Sequence, residues 1–203
     1  MDKPKPEQII DVEGPSGESV FRRLISWCVP TGASERFQQK IDEEILAHVR
    51  ELNDDRLLVL VGALIIENAV DELLAAIMPG YRSLRDKRDC SFSMRVEIAR
   101  ALRLIPSRIL NCADFIRGLR NDFVHDLSIE KLDKLKPSRI QSMRDRLSAF
   151  TSQEFEEEAE TFRMLVVWTA VALYGYTMHV ARLNDFIRSN EFYASLQAFL
   201  DQN

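Results

Sequence analysis

Proline and glycine are scarce in this chain, with seven of each in 203 residues, and they mark the ends of long helix-compatible segments. Pro79 and Gly80 follow a long apolar stretch, Pro106 follows another, and Pro137 stands where a polar stretch turns amphipathic. Proline stops a helix or starts one, because its ring fixes φ and removes a donor. No segment shows the alternation of a strand and no internal repeat occurs, so the chain is predicted to be all-α.

Cap residues and apolar spacing divide the chain into predicted helices. Ser34, Asp54, Ser107 and Asn190 are predicted N-caps, and Ser91 or Ser93 starts another helix. The predicted helices cover about 20–28, 34–52, 55–78, 91–104, 107–125, 138–150, 154–188 and 190–201. Residues 81–90 and 126–136 are predicted connections, the second with at most one turn of helix. The expected fold is a bundle of about five to seven helices with a long C-terminal helix.

Composition is that of one globular domain. Hydrophobic residues make up 46% and charged residues 29%, and 203 residues can bury a substantial core. We expect a flexible tail over 1–19, which lacks the apolar core of a signal peptide, and a single helical domain over 20–203. The three cysteines, Cys28, Cys90 and Cys112, include no CxxC pair, which favours reduced packing thiols in a cytoplasmic protein.

Residues 164–181 contain no charged side chain, so by length they are a marginal membrane candidate. Thr169, Tyr174, Gly175 and His179 lie within them and suit a lipid-facing span poorly. A core or dimer-interface helix is therefore the favoured interpretation, and no membrane association is expected.

Charge is unevenly distributed. The net charge is −5, yet residues 81–120 hold ten basic and four acidic side chains, while an acidic run occupies 154–160. A mixed pattern usually marks solvated helix surface, but a local basic face can hold phosphates.

Known metal and nucleotide motifs are absent from the sequence. Of the three histidines, His48 is expected on the surface and His179 in the core, and no two have a metal-binding spacing. There is no Walker A, GxGxxG or GxSxG sequence. We therefore expect no catalytic metal and no cofactor.

The residues most able to carry chemistry lie between Arg120 and His125. Asn121 and His125 are four residues apart and share a helix face, and Arg120 can swing its long side chain toward that face. The opposite side of the same helix is apolar and is expected to face the core; it comprises Cys112, Ile116, Leu119 and Phe123.

This Arg-x4-His spacing, with Asn after the Arg, resembles the motif of HEPN domains (higher eukaryotes and prokaryotes nucleotide-binding). The context is most similar to the mannitol-repressor-like and DUF4145 branches. The apolar helix 57–74 with Glu67, the segment 91–105, the stretch 119–125 and the apolar 162–173 resemble successive parts of that domain. The resemblance spans about residues 55–180, and Val124 departs from the small residue usual before the histidine.

The resemblance implies a metal-independent endoribonuclease, acting as a toxin or defence effector. Arg120, Asn121 and His125 would be its catalytic residues, and the basic segment suggests Arg117, Arg88 and Arg95 as RNA contacts. A histidine can act as general base or acid near neutral pH, and an arginine can stabilise charge on phosphorus. The resemblance also implies a homodimer with the motif at its interface, which would supply a second histidine; an antitoxin or regulatory protein is a possible further partner.

Other interpretations remain open. Arg120, Asn121 and His125 could bridge helices without catalysis, for instance through a pair between Arg120 and Glu67. The mannitol-repressor-like branch implies a regulatory or protein-interaction module acting in transcription regulation. Direct DNA binding is a weaker alternative, because the net charge is negative and no helix-turn-helix is evident.

Overall fold

The computed structural model describes residues 39, 41–87, 90–103 and 105–188. In these residues the chain is all-α, as predicted, and no strand occurs. A π-helical segment, Ile41–Leu46, leads into α1, and a 3₁₀ turn, Leu132–Lys134, separates α5 from α6. The α-helices are α1 (Ala47–Val49), α2 (Asp55–Ile77), α3 (Tyr81–Arg85), α4 (Phe92–Ala101), α5 (Ser107–His125), α6 (Pro137–Ser148) and α7 (Glu158–Arg188).

The pair α2 and α7 forms the centre of the bundle. Asp54 caps α2 as predicted, its carboxylate accepting from the Leu57 amide at 2.7 Å. Gly62 lets α7 approach closely, because a Cβ there would lie 2.8 Å from Cγ2 of Val166 and 3.1 Å from Phe162. The core extends along both helices, since α2 buries residues from Leu58 to Leu74 and α7 buries residues from Phe162 to Tyr174.

Helix α5 packs on α2 and α7 with the predicted face. Cys112, Ile116, Leu119 and Phe123 are all buried, while α4 packs against α2 and α5, and α6 packs against α5 and α7. The remaining face of α5 stays at the surface, and this face carries the Arg120–His125 motif.

Several predicted boundaries need correction. Ser107 is the first residue of α5 and not its cap, because Pro106 takes the extended cap position. Residues 81–85 form a short helix within the predicted irregular connection, because Gly80 reverses the chain at φ 86° and buried Tyr81 anchors it. Helix α4 ends at Ala101, before the left-handed Arg103 at φ 54°. Helix α7 begins at Glu158, after Phe155 packs on the core from a non-helical segment.

Helix α7 is long and apolar enough to cross a membrane by length and composition, over Glu158–Asp185. However, 56% of its most apolar window is buried inside the protein. Its aromatic and apolar side chains pack on α2, as the favoured interpretation of residues 164–181 expected.

The predicted tail over 1–19 and the predicted helices over 20–28 and 190–201 lie outside the described residues. The predicted helix over 34–52 is described only at residue 39 and from residue 41 onward, where the helical segment ends at Val49.

Candidate functional site

The motif occupies the last two turns of α5. His125 is the final helical residue and is exposed, whereas Arg120 and Asn121 are partly exposed. At about 100° per residue, Asn121, Val124 and His125 share the face of α5 opposite Phe123 and Leu119, and Arg120 lies at the edge of that face, about 140° around the helix from His125. Asn121 and His125 thus lie on one face of α5, which Arg120 would reach through its long side chain.

These three side chains are free of partners within the part of the chain that the structure describes. Arg120, Asn121 and His125 make no side-chain hydrogen bond or ion pair there. The pair considered between Arg120 and Glu67 is not formed, because Glu67 contacts Nη1 of Arg95 at 3.1 Å. A bridging role for the motif would require contacts of this kind.

Arg56, at the start of α2, holds the carboxyl end of the motif helix. Its guanidinium donates to the carbonyl oxygens of Phe123 at 2.8 Å, Leu127 at 3.3 Å and Ile129 at 2.8 Å. The last carbonyl groups of a helix have no partner inside it, so Arg56 supplies one at Phe123. Arg56 was not predicted, because in the sequence it is only a basic residue after two cap-like aspartates.

The loop after His125 is held by two carboxylates. Asp55 accepts from the Leu132 amide at 2.7 Å, and Asp126 accepts from the Ser128 amide at 3.0 Å and from its hydroxyl at 2.5 Å. The bonds from Ser128 lower the pKa of Asp126 below its usual value. Together with Arg56, these contacts fix where His125 sits relative to α2.

The three residues predicted to contact RNA differ in their placement. Arg117 lies on the surface of α5 and pairs with Asp114 at 3.4 Å, and Asp114 also binds Arg100 at 2.9 Å. Arg88 lies outside the described residues. Arg95 is mostly buried between α2 and α4, paired with Asp71 at 2.9 Å and donating to the Cys90 carbonyl at 3.1 Å.

The environment of Arg95 is that of a helix-bridging residue. Burial alone would lower its pKa, but Asp71 and Glu67 outweigh burial and raise it. Tyr81 also donates to Asp71, and burial together with that bond raises the pKa of Tyr81. The donors of Arg95 are engaged in contacts inside the bundle, so this side chain is poorly available to an RNA strand.

A further arginine, Arg139 of α6, lies against the surface of α5. Its Nη2 contacts Asp122 at 3.0 Å, and its guanidinium carbon lies 5.7 Å from the centre of the Phe115 ring. A Cβ at Gly118 would lie 3.7 Å and 3.8 Å from its Nη2 and Nη1. Nothing in the sequence separates this arginine from the other basic residues of α6, so it was not predicted.

The other two histidines lie elsewhere. His48 is exposed, as predicted, and lines a groove with Leu64 and Asp71. His179 is exposed, contrary to the prediction that it is buried, because the fully buried part of α7 ends near Gly175.

No group of three or more histidine, cysteine or acidic residues is arranged to hold a metal ion within the described residues. Cys90 and Cys112 are buried free thiols, and burial raises the pKa of Cys112 to about 11. The unpaired polar groups of the motif are the Arg120 guanidinium, the Asn121 amide and the His125 imidazole, which can bind a phosphate and move a proton. The Asp122 carboxylate beside them is paired with Arg139. No family model, curated protein or solved structure matches this chain.

Proposed function

We propose that this protein is a HEPN-type, metal-independent endoribonuclease whose catalytic residues are Arg120, Asn121 and His125. The observation that supports it most is the contrast on α5 between a fully packed inner face and an outer arc where these three side chains have no partner in the described chain. A purely bridging motif would have its polar groups paired.

The proposed reaction needs only the RNA and these side chains. The 2′-hydroxyl attacks the adjacent phosphorus, the P–O5′ bond breaks, and the products are a 2′,3′-cyclic phosphate and a 5′-hydroxyl. His125 takes the 2′-hydroxyl proton or donates one to O5′. Arg120 neutralises charge on the phosphoryl oxygens, and Asn121 orients the imidazole or binds phosphate.

A second copy of the chain completes this chemistry. One imidazole cannot be base and acid at the same moment, whereas a homodimer supplies two. Exposed apolar side chains occur within the motif (Val124, 47% accessible), in the loop after it (Leu127, 77%) and near the start of α2 (Leu57, 46%). A contiguous exposed apolar patch favours a protein interface, and we propose that these side chains take part in the dimer contact.

The same exposed side chains favour a second candidate, a non-catalytic module that binds a regulatory protein as a mannitol-repressor-like domain would. The two functions differ in what they require of His125. A ribonuclease, acting in the cytoplasm as a toxin or defence effector with an antitoxin as partner, depends on the imidazole. A docking module depends on Val124 and Leu127 instead.

Cleavage of total RNA and tRNA by purified protein, with EDTA present, tests the proposal. Wild-type protein is expected to cut, and His125→Ala and Arg120→Ala are expected to lose at least about a hundredfold in rate. His48→Ala and His179→Ala serve as matched controls, because each removes an exposed imidazole away from the motif, and they should cut like wild type.

Retained cleavage in His125→Ala would refute the catalytic assignment. Absence of cleavage by folded wild-type protein on every RNA tested would favour the regulatory module, especially if Val124→Asp abolished capture of a partner.

A further inference from the structure

We propose that Arg139 is a second phosphate-binding residue of the same site, holding the backbone of the bound RNA beside His125. The inference deepens the proposed function and rests on it. Arg139 comes from α6, so it would join a separate element of the fold to the motif on α5.

The position of Arg139 is given by three neighbours along one face of α5. Its guanidinium carbon lies 5.7 Å from the centre of the Phe115 ring, its nitrogens lie beside Gly118, and Nη2 contacts Asp122 at 3.0 Å. Gly118 and His125 are seven residues apart, and helical side chains lean toward the N-terminus. From this geometry we expect the imidazole to lie over the turn that holds Asp122, within about one helical turn of the guanidinium.

The pair between Arg139 and Asp122 leaves the cation accessible. The Arg139 side chain is 38% and the Asp122 side chain 34% exposed, and such pairs contribute little to stability. Gly118 adds no side chain in front of the guanidinium, and only one contact to an acid, through Nη2, engages it in the described chain. A planar guanidinium with free donors suits a phosphate.

Positive charge also lies near Arg139 along the chain. Arg139 lies in the first turn of α6, three residues after Lys136, and this helix begins without a side-chain cap. A helix N-terminus carries partial positive charge, which adds to the attraction for an anion. Asp122 then acts as a competing anion that holds the guanidinium in place until a phosphate arrives.

Binding of a fluorescent single-stranded RNA whose 2′-hydroxyls are all 2′-O-methylated tests the proposal, because this probe cannot be cleaved. Arg139→Gln is compared with Arg144→Gln, a matched control on the same helix whose guanidinium pairs with Glu158 at 2.7 Å and is 45% exposed. Both variants lose one positive charge. We expect Arg139→Gln to weaken binding about fivefold to tenfold and to reduce the salt-dependence slope by about 0.7, with the control unchanged.

Asp122→Asn is the second variant, because it keeps Arg139 and removes its competitor. We expect it to tighten RNA binding, and to have no such effect when Arg139→Gln is also present. If the pair between Arg139 and Asp122 is purely structural, Asp122→Asn should not tighten RNA binding. Loss of either partner would then weaken binding only as far as it destabilises the fold. Thermal melting followed by circular dichroism measures that destabilisation.

The outcomes separate the two proposals. If wild type cleaves RNA with His125 but Arg139→Gln binds like Arg144→Gln, the Arg139 assignment is overturned and the ribonuclease stands. If Asp122→Asn tightens binding equally with and without Arg139, a general effect of charge explains the change and the Arg139 assignment is overturned. If wild type neither binds nor cleaves RNA, both proposals fall.

Discussion

At the scale of single residues, charged side chains on α5 fall into two groups. Asp114, Arg117 and Asp122 are paired within the described chain, whereas Arg108, Arg120 and His125 are not. A polar group without a protein partner is available to a ligand at no cost of a broken contact. The carboxyl end of α5 is the candidate site because an unpaired guanidinium, an amide and an imidazole lie there within six residues.

Cys112 gives a pH-dependence that can be measured. Burial raises its pKa from 9.0 to about 11 in the folded protein. A raised folded pKa means that its contribution to stability is complete below about pH 9 and is lost as pH rises toward 11. We expect the part of the free energy of unfolding due to Cys112 to fall by about 2 kcal/mol by pH 11.

Urea unfolding at pH 8 and pH 10.5 checks this, with Cys112→Ala as the comparison. The variant should be less stable at pH 8, because a buried side chain is truncated, but should lose less stability on going to pH 10.5. An equal loss in both proteins would show that other groups, such as Tyr81, account for the alkaline change.

At the scale of elements, the site depends on a contact between helices distant in sequence. Arg56 at the start of α2 binds three carbonyl groups at and beyond the end of α5. Loss of these bonds leaves the partly buried carbonyl oxygens of Phe123 and Ile129 without this donor.

We therefore expect Arg56→Gln to lower the free energy of unfolding by about 1–3 kcal/mol. The substitution should also speed hydrogen exchange in the last turn of α5 and slow RNA cleavage, although it changes no side chain of the Arg120–His125 motif. Arg50→Gln is a suitable control, because Arg50 is exposed and precedes the same helix. Equal protection of residues 120–126 from hydrogen exchange in both variants would argue against this role of Arg56.

Gly62 tests the packing of α2 on α7. A methyl group there would stand 2.8 Å from Cγ2 of Val166, so Gly62→Ala should destabilise the protein by about 1–3 kcal/mol despite its better helix propensity. Val166→Ala removes the clashing atom, so in that background Gly62→Ala should cost much less. Thermal or urea unfolding of the two single variants and the double variant measures this. Additive losses in the free energy of unfolding would show that the contact with Val166 does not cause the cost of Gly62→Ala.

Helix-level features were predictable where local chemistry decides them. Asp54 as a cap, the end of α5 at His125 and the buried side of that helix follow from spacing and capping rules. For α4 these rules left Ser91 and Ser93 as alternatives, and the structure has Ser91 as the cap. The five-residue helix after Gly80 was missed because it is too short to show a period. His179 was misplaced because apolar neighbours along the chain do not reveal where the surrounding helices end.

At the scale of the whole molecule, the motif could be predicted from the sequence, but the residues that approach it from other helices could not. Arg56, Asp55 and Arg139 approach the motif only through tertiary packing, with 67 residues separating Arg56 from Phe123. Arg95 illustrates the converse, since it looks like surface charge in the sequence yet bridges α2 and α4. Sequence patterns identify faces of single helices, whereas pairs between helices depend on the packed bundle.

The proposed chemistry at the exposed end of α5 is tested most directly by incubating one RNA oligonucleotide with wild-type protein in EDTA, beside the same sequence carrying 2′-O-methyl groups. The account predicts that only the unmodified RNA is cut, leaving 2′,3′-cyclic phosphate ends, and that His125→Ala cuts neither. Cleavage of the 2′-O-methyl RNA, or equal cleavage of the unmodified RNA by His125→Ala, would contradict it.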